Sequence, residues 1–476
     1  MSRISSLFFT LLLVLATLPA YAQDPANAAE EAAADTVNEQ PSDSELLMQQ
    51  FELYKQLLND GVLDEADTVA KRVVELTIRI HGPSSAETAK ALSNLALVQH
   101  RNKQFDAAQQ NFAAAIDIIE DVDDRLSLNL VNPLKGLGAS QLEGGRPDLA
   151  LGTFDRAVHV THVNEGPHNM EQVELLESVA ETNYRLGFIE EAKKAHDRIY
   201  SLNLRYFNEQ PAALIEPLMR RAAWQRRTGH HNDERATYRA VIRIIEDQGN
   251  KYDPRLVEPL LRLGESYYYI DSTQSTPYRQ PSVMSGEVYF KRAMSIAESD
   301  RSSSWSTLAA TKLSLADFYL SKSSVSRAYK LYGEIWDLLS EEDRLDNRRS
   351  LLETPVPLRF GPIPGYAGDA SAADTNSVTE TLLNGRIDIV FDVTIRGQVT
   401  NLQLAGADPQ EFDGLQRFLM REFRSRVYRP MFADGQAVDA IGQTYTHEFF
   451  YRKSDLDALR EGNMPAAAEP QAEAAN

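Results

Sequence analysis

Leu92-Ser93-Asn94-Leu95-Ala96 is the stretch on which the fold turns, because the chain returns to it every 42 residues. The apolar-small pair Leu95-Ala96 recurs as Leu137-Gly138, Val179-Ala180, a looser Ala222, and Leu263-Gly264. One step back lies Tyr54. Seven residues after each marker a turn-former stands at Gly61, Gly145, Gly187 and Gly229, with Lys103 breaking the run. Twelve after it come Ala66, Ala108, Ala150 and Ala192, with Glu234 departing, and sixteen after it Phe112, Phe154 and Tyr238. Pro133, Pro217 and Pro259 share another slot, and Gly82-Pro83 and Gly166-Pro167 are two periods apart.

The physics behind this spacing is a stack of helical hairpins. A small residue lets two helices approach, a glycine ends the first, and an alanine followed by an aromatic packs the second against it. Proline in a first helical turn loses no intrahelical bond. One such pair cannot bury its apolar faces alone, so neighbours must stack. A seventh copy appears at Leu315-Ala316, followed by Ala328, Tyr332 and Ile335. Its displacement from Gly264 implies a ten-residue insertion within 271–283, a polar Ser/Thr/Pro stretch that reads as a lengthened loop.

The small–Gly–Ala–aromatic phasing resembles the tetratricopeptide repeat, in its 42-residue, kinesin-light-chain-like form. Leu92 to Ala96 is close to that form's first-helix signature, and Gly82-Pro83 resembles its inter-repeat turn. The resemblance covers about 45–345. It implies an all-α superhelix whose first helices line a concave wall that binds extended or helical peptides. Counted from the phase markers, that wall holds Lys90, Asn94 and Arg101, then Glu177, Glu181 and Tyr184, then Arg220, Arg227, Arg262 and Tyr268. It reads acidic in the third of these arrays and basic in the fourth, matching a partner segment with both charges. The alternative is a merely solvated wall.

Beyond the repeats the pattern changes. Prolines 355, 357, 362 and 364 with glycines mark 351–384 as a linker, non-helical and partly extended. The period then switches to two: Ile387, Ile389, Phe391, Val393 and Ile395 alternate with other residues, Arg396-Gly397 makes a turn, and Val399, Leu402 and Leu404 continue. Residues 409–428 predict an amphipathic helix with Phe412, Leu415, Leu419 and Phe423 inward, and 437–451 a third strand. This β-β-α-β unit at 385–452 makes a small α+β domain.

Phe391-Asp-Val393, Gly397 and Val399, with Tyr428-Arg-Pro430 and Asp434-Gly435-x-x-Val438, resemble the periplasmic C-terminal domain of TonB-type energy transducers. That resemblance implies docking by strand addition to the last strand, where the family receives a short peptide from an outer-membrane receptor. The implied edge runs through Gln443, Thr444, Tyr445, Thr446, His447, Glu448 and Phe449, interrupted by charge only at His447 and Glu448. The competing expectation is an edge covered by the linker around 356–360 or by a second copy. The retained anchor and long Pro-rich span of a transducer are missing from the pattern.

Composition bounds the function. In 476 residues, 43% are hydrophobic and 25% charged, as in soluble globular chains. The net charge is −20, with seven acids and no base in 23–50 and a further acidic excess in 453–476. Both ends read as disordered acidic tails, 23–44 and 453–476, and the balance excludes a nucleic-acid partner. With no cysteine there is no disulfide framework, thiol chemistry or lipoprotein anchor.

Arg3, the apolar run 7–18 and Ala20-Tyr21-Ala22 have the form of a signal peptide over 1–22, cleaved before Gln23. The expectation is a periplasmic protein with no stable membrane span after cleavage and with other envelope proteins or peptides as partners. The alternative is an inner-membrane anchor facing the periplasm.

Phosphate loops and zinc-protease, serine-hydrolase and dinucleotide motifs do not occur. His159, His162 and His168 read as surface histidines, Glu120 to Asp124 as a solvated helix end, and Tyr267 to Tyr269 as at least partly core. Arg417, Arg421, Arg424, Arg426 and Arg429 read as a solvated basic helix face, the alternative being a surface for acidic head groups or partners. The sequence therefore predicts a non-catalytic scaffold with no cofactor and no metal. The alternative is a TonB-like energy-transducer or transport accessory.

Overall fold

Each 42-residue step folds as two helices because its two small positions sit where the helices cross. The computed structural model describes residues 42–269, 286–358, 363–367 and 382–461. The export segment 1–22, most of the acidic N-terminal tail, the insertion at 271–283 and residues 462–476 lie outside the described residues. The chain divides into two compact units, Met1–Gly144 with Arg156–Asn164, and Gly145–Asp155 with Glu165–Asn476.

The first unit holds α1 (Asp43–Asp60), α2 (Leu63–His81), α3 (Ala86–Arg101), α4 (Phe105–Val122) and α5 (Val131–Glu143). A capping box between Ser42 and Glu45 starts α1, so ordered structure begins inside the segment expected as tail. Ala66, Ala96 and Ala108 are wholly buried, and Tyr54 donates its hydroxyl to the Asn94 carbonyl at 3.2 Å. Gly136 is there because the Phe112 ring lies 2.3 Å from where a β-carbon would be. Lys103 turns left-handed at φ +60°, as Gly61 does at +74°, so the slot keeps its backbone where it loses its glycine.

The helix α6 (Pro147–Glu165) is shared between the units. The second unit continues with α7 (Gln172–Arg185), α8 (Ile189–Tyr206), α9 (Ile215–Arg227), α10 (His231–Gln248), α11 (Val257–Ser266), α12 (Glu287–Ser299), α13 (Trp305–Ser321) and α14 (Val325–Leu338). Ala192 and Ala328 fill the alanine slot, and Gly286 fills it after the insertion, packed on the Gly264 carbonyl. Glu234 departs from that slot yet is fully buried, because Arg226 donates to it at 2.7 Å.

A short helix α15 (Leu345–Leu352) ends the array, and the C-terminal domain follows in the same unit. Its sheet has the order β3-β2-β7, with β2 (Leu382–Val393), β3 (Val399–Asp408) and β7 (Ala440–Arg452), all antiparallel. Helix α16 (Asp413–Ser425) covers one face with Phe412, Leu415, Leu419 and Phe423, against Ile387, Ile389 and Phe391.

Several boundaries are corrected. Strand β2 starts at Leu382, inside the expected linker, and the helix spans 413–425 rather than 409–428. The expected third strand is two elements: β6 (Gln436–Val438) pairs with β5 (Met431–Ala433), and β7 begins afterwards. The linker is not free, since β1 (Val356–Pro357) pairs with β4 (Tyr428–Arg429). Residues 453–460, expected in a disordered tail, form α17 (Lys453–Arg460) with Leu456 buried in the domain core.

Candidate functional site

Two surfaces carry the residues expected to bind partners. The first lies on the first helices of successive hairpins. Glu177 and Glu181 sit one helical turn apart on α7, and Arg220 and Arg227 two turns apart on α9. The structure joins them. Arg220 approaches Glu177 at 3.4 Å, Arg227 pairs with Glu181, and its guanidinium stacks over the Tyr184 ring at 4.3 Å. Arg185 adds a further contact to Glu181 at 3.1 Å.

The same logic repeats one hairpin on. Arg226 bridges Glu234 and Glu265, and Arg262 reaches Glu265 at 3.2 Å. The acidic and basic repeats therefore neutralise each other in part across adjacent helices, which corrects the reading of two opposed charges displayed to a partner. Desolvation raises the Glu177 carboxyl above its usual pKa, and Arg220 opposes that shift.

Tyr268 is not on this face. It is 7% exposed, stacked between Phe290 and Phe318, and donates to the Ser314 carbonyl at 3.2 Å. Lys90 and Arg101 are exposed on α3 and Asn94 is half-buried there.

The second surface is the β7 strand. Pairing with Ile387, Ile389 and Phe391 turns His447, Tyr445 and Gln443 toward α16, and Phe449 follows them. Thr444, Thr446 and Glu448 point to the opposite, exposed face. His447 is therefore a core residue rather than a charge guarding the edge. Its Nε2 donates to the Pro364 carbonyl at 2.9 Å, and burial pushes its pKa down to about 4.

Strand β7 pairs with β2 on one side only. On the other side, the Phe450 N–H donates to the Gly365 carbonyl at 2.8 Å, and the Ala367 N–H donates to the Phe450 carbonyl at 2.9 Å. By strand alternation, the peptide groups of Glu448, Thr446 and Thr444 face the same side as those of Phe450. The edge expected open is covered at Phe450 by 363–367, a different part of the linker from the 356–360 of the competing expectation.

The basic helix face divides. Arg417, Arg421 and Arg424 are exposed, whereas Arg426 is buried over the Phe423 ring at 3.6 Å. Arg429 leaves the domain altogether. Its guanidinium holds Asp317 of α13 through two bonds of 2.9 and 2.6 Å, and a third reaches the Leu351 carbonyl. Tyr332 donates to the same Asp317 at 2.7 Å. Beside this pair Phe432, 3% exposed, enters the core of the last hairpins against Tyr329 and Tyr332.

Residues 56–121 and 87–160 match the family model for the tetratricopeptide repeat. Residues 56–160 carry tetratricopeptide repeats. These are hairpins of the kind α3 and α4 display. Among solved structures, the nearly identical TPR-like repeats of a Podosopora anserina chain named for kinesin light chain share 13% identity, covering 42% of this chain and 96% of that one at a TM-score of 0.39. The C-terminal part of a TPR repeat-containing protein from Cytophaga hutchinsonii shares 11%, covering 62% and 98% at 0.40. Aspartyl phosphate phosphatase F from Bacillus subtilis shares 10%, covering 66% and 97% at 0.35. No curated protein matches the chain significantly.

Among the described residues no histidine, aspartate and glutamate cluster is placed to hold a metal ion, and no helix is long and apolar enough to cross a membrane. Asp317, Phe432 and Tyr366 belong to none of the candidate sites that the sequence pattern marks. The only signal for the first was its position directly after the Leu315-Ala316 marker.

Proposed function

We propose that the chain is a non-catalytic protein-interaction scaffold of the periplasm, with peptide binding along its repeats and strand addition at its C-terminal domain. Tetratricopeptide repeats at 56–160 support the scaffold role, since stacked hairpins present extended surfaces to other chains. The observation that carries the second half is the β7 edge. Its outward peptide groups at Thr444, Thr446 and Glu448 have no backbone partner among the described residues, beside a point where a chain segment already adds to it.

The hairpin–helix–strand order supports a docking domain of the TonB C-terminal type. The buried Arg429–Asp317 pair argues against the transducer alternative. A domain that transmits force needs a free tether, and this one is packed into the last hairpins by Phe432. Periplasmic location rests on Arg3, the apolar run 7–18 and Ala20-Tyr21-Ala22.

Fractionation of a Gram-negative host should place the protein in the periplasm with its N-terminus near Gln23. Crosslinking there, with the Thr446→Pro variant as comparison, tests the edge. A folded proline variant that captures its partners undiminished sinks strand addition.

A further inference from the structure

The segment that covers the β7 edge does more than pass by it. Gly365 and Ala367 bracket Phe450 with one accepted and one donated backbone bond, the pattern of a parallel ladder, and Tyr366 pairs with Phe450 in that sense. Both neighbouring pairings within the sheet are antiparallel, so this strand is of a different kind. Its side chain is specifically received. Tyr366 is 7% exposed, and its hydroxyl donates to Asp455 of α17 at 2.6 Å. The ring packs with Leu186 and Leu382, and the Arg452 guanidinium lies over it at 5.6 Å. One residue earlier than Gly365, the Pro364 carbonyl accepts from His447.

A covalently attached extended segment, held by backbone bonds at Gly365 and Ala367, by His447 at the Pro364 carbonyl and by one deeply seated hydroxyl at Tyr366, has the form of a bound peptide. We infer that residues 363–367 are an intramolecular ligand of the β7 edge, and that the partner they hold off is an extended segment running parallel to β7 with a tyrosine between small residues. This rests on the reading of β7 as a strand-addition edge. The small neighbours let the backbone approach, the tyrosine hydroxyl reaches Asp455, and the ring fills the Leu186–Leu382 recess. A site occupied by its own chain shows outside peptides an affinity lowered by the fraction of time it stands free. Weakening the internal strand must therefore raise affinity for an external copy.

The test uses the full chain and a fluorescent peptide spanning 361–370. Native protein should bind it weakly. The Tyr366→Ala chain should bind it about tenfold more tightly, and Tyr366→Phe, which keeps the ring but loses the Asp455 bond, by an intermediate factor. The same peptide with alanine at its tyrosine should bind neither. A folded Tyr366→Ala chain with no gain overturns the inference. Should that variant unfold, Tyr366→Phe decides: a gain of about threefold supports the inference, and none overturns it. If the peptide fails while Thr446→Pro still abolishes partner crosslinking, the docking edge stands and the internal ligand falls.

Discussion

Arg429 and Asp317, 112 residues apart in the chain, form a two-bond ion pair from which solvent is nearly excluded, the arginine side chain being 6% exposed and the aspartate 10%. Burial alone would lower the arginine pKa; the Asp317 carboxylate overcomes this and holds it above the ordinary value. The pair joins the strand after α16 to the seventh hairpin, with Tyr332 completing the shell of donors around Asp317. The C-terminal domain thereby packs into the last hairpins of the array.

Breaking this pair should be costly. Arg429→Met leaves Asp317 buried and uncompensated, and about 3–5 kcal/mol of stability should be lost in denaturant unfolding. The double variant Arg429→Met, Asp317→Leu should recover most of that loss, because both desolvated charges are then gone. Limited proteolysis should release the 382–461 region from the single variant and not from the double. Equal instability of the two would mean that the surrounding apolar contacts, rather than the charges, hold the domain.

Acid should loosen the C-terminal domain through His447. Its folded pKa of about 4 lies below the ordinary 6.5, so the unfolded chain binds the proton more readily. The contribution to stability is complete above pH 6.5 and is lost as pH falls toward 4. The loss is about 3 kcal/mol at its limit. His196, half-buried against Trp224 with its pKa pushed down to about 3 by desolvation, adds a second loss in the repeats over the same direction of pH. Unfolding midpoints of His447→Gln between pH 7 and 4 should fall less steeply than those of the native chain. An identical slope would show that His447 takes up its proton as readily in the folded chain as in the unfolded one.

The paired charges on α7 and α9 can be separated from partner binding by a swap. Arg220→Glu with Arg227→Glu should lower stability by about 0.5–2 kcal/mol, as exposed and half-exposed pairs are individually weak. Adding Glu177→Arg and Glu181→Arg restores the two cross-helix attractions with the signs exchanged, at the expense of the Arg185–Glu181 contact within α7, so the recovery is partial. Helicity should return, and the midpoint most of the way. Partner capture should stay reduced if this face is the binding wall, and its full recovery would place the binding surface elsewhere.

Glycines divide by what stands next to them. Gly136→Ala drives a methyl into the Phe112 ring and should cost about 1–3 kcal/mol. Gly333→Ala, on a helix with nothing within 4 Å, should stabilise by about 0.5–1 kcal/mol through helix propensity. Thermal midpoints check both, and a stabilised Gly136→Ala would mean that the crossing can open without loss.

The sequence by itself determined the hairpins. Small residues at 96, 138, 180, 222 and 264 and their partners at 66, 108, 150 and 192 are local requirements of helix crossing, so their spacing is visible without knowing where any helix lies. Alternation made the β2 strand and the inward face of α16 visible in the same way. Only the tertiary structure decided how charges and edges are used. Arg220 and Glu177 look like two binding residues in one dimension and are neighbours in three, and the fate of Tyr268 turns on which ring stands beside it. Tyr366 and Arg429 sit in segments with no periodicity, a proline-rich stretch and a strand of two residues, where pattern carries no information about contact. Their roles come from partners 89 and 112 residues away, Asp455 and Asp317, and long-range pairing of that kind is chosen by folding rather than by local propensity.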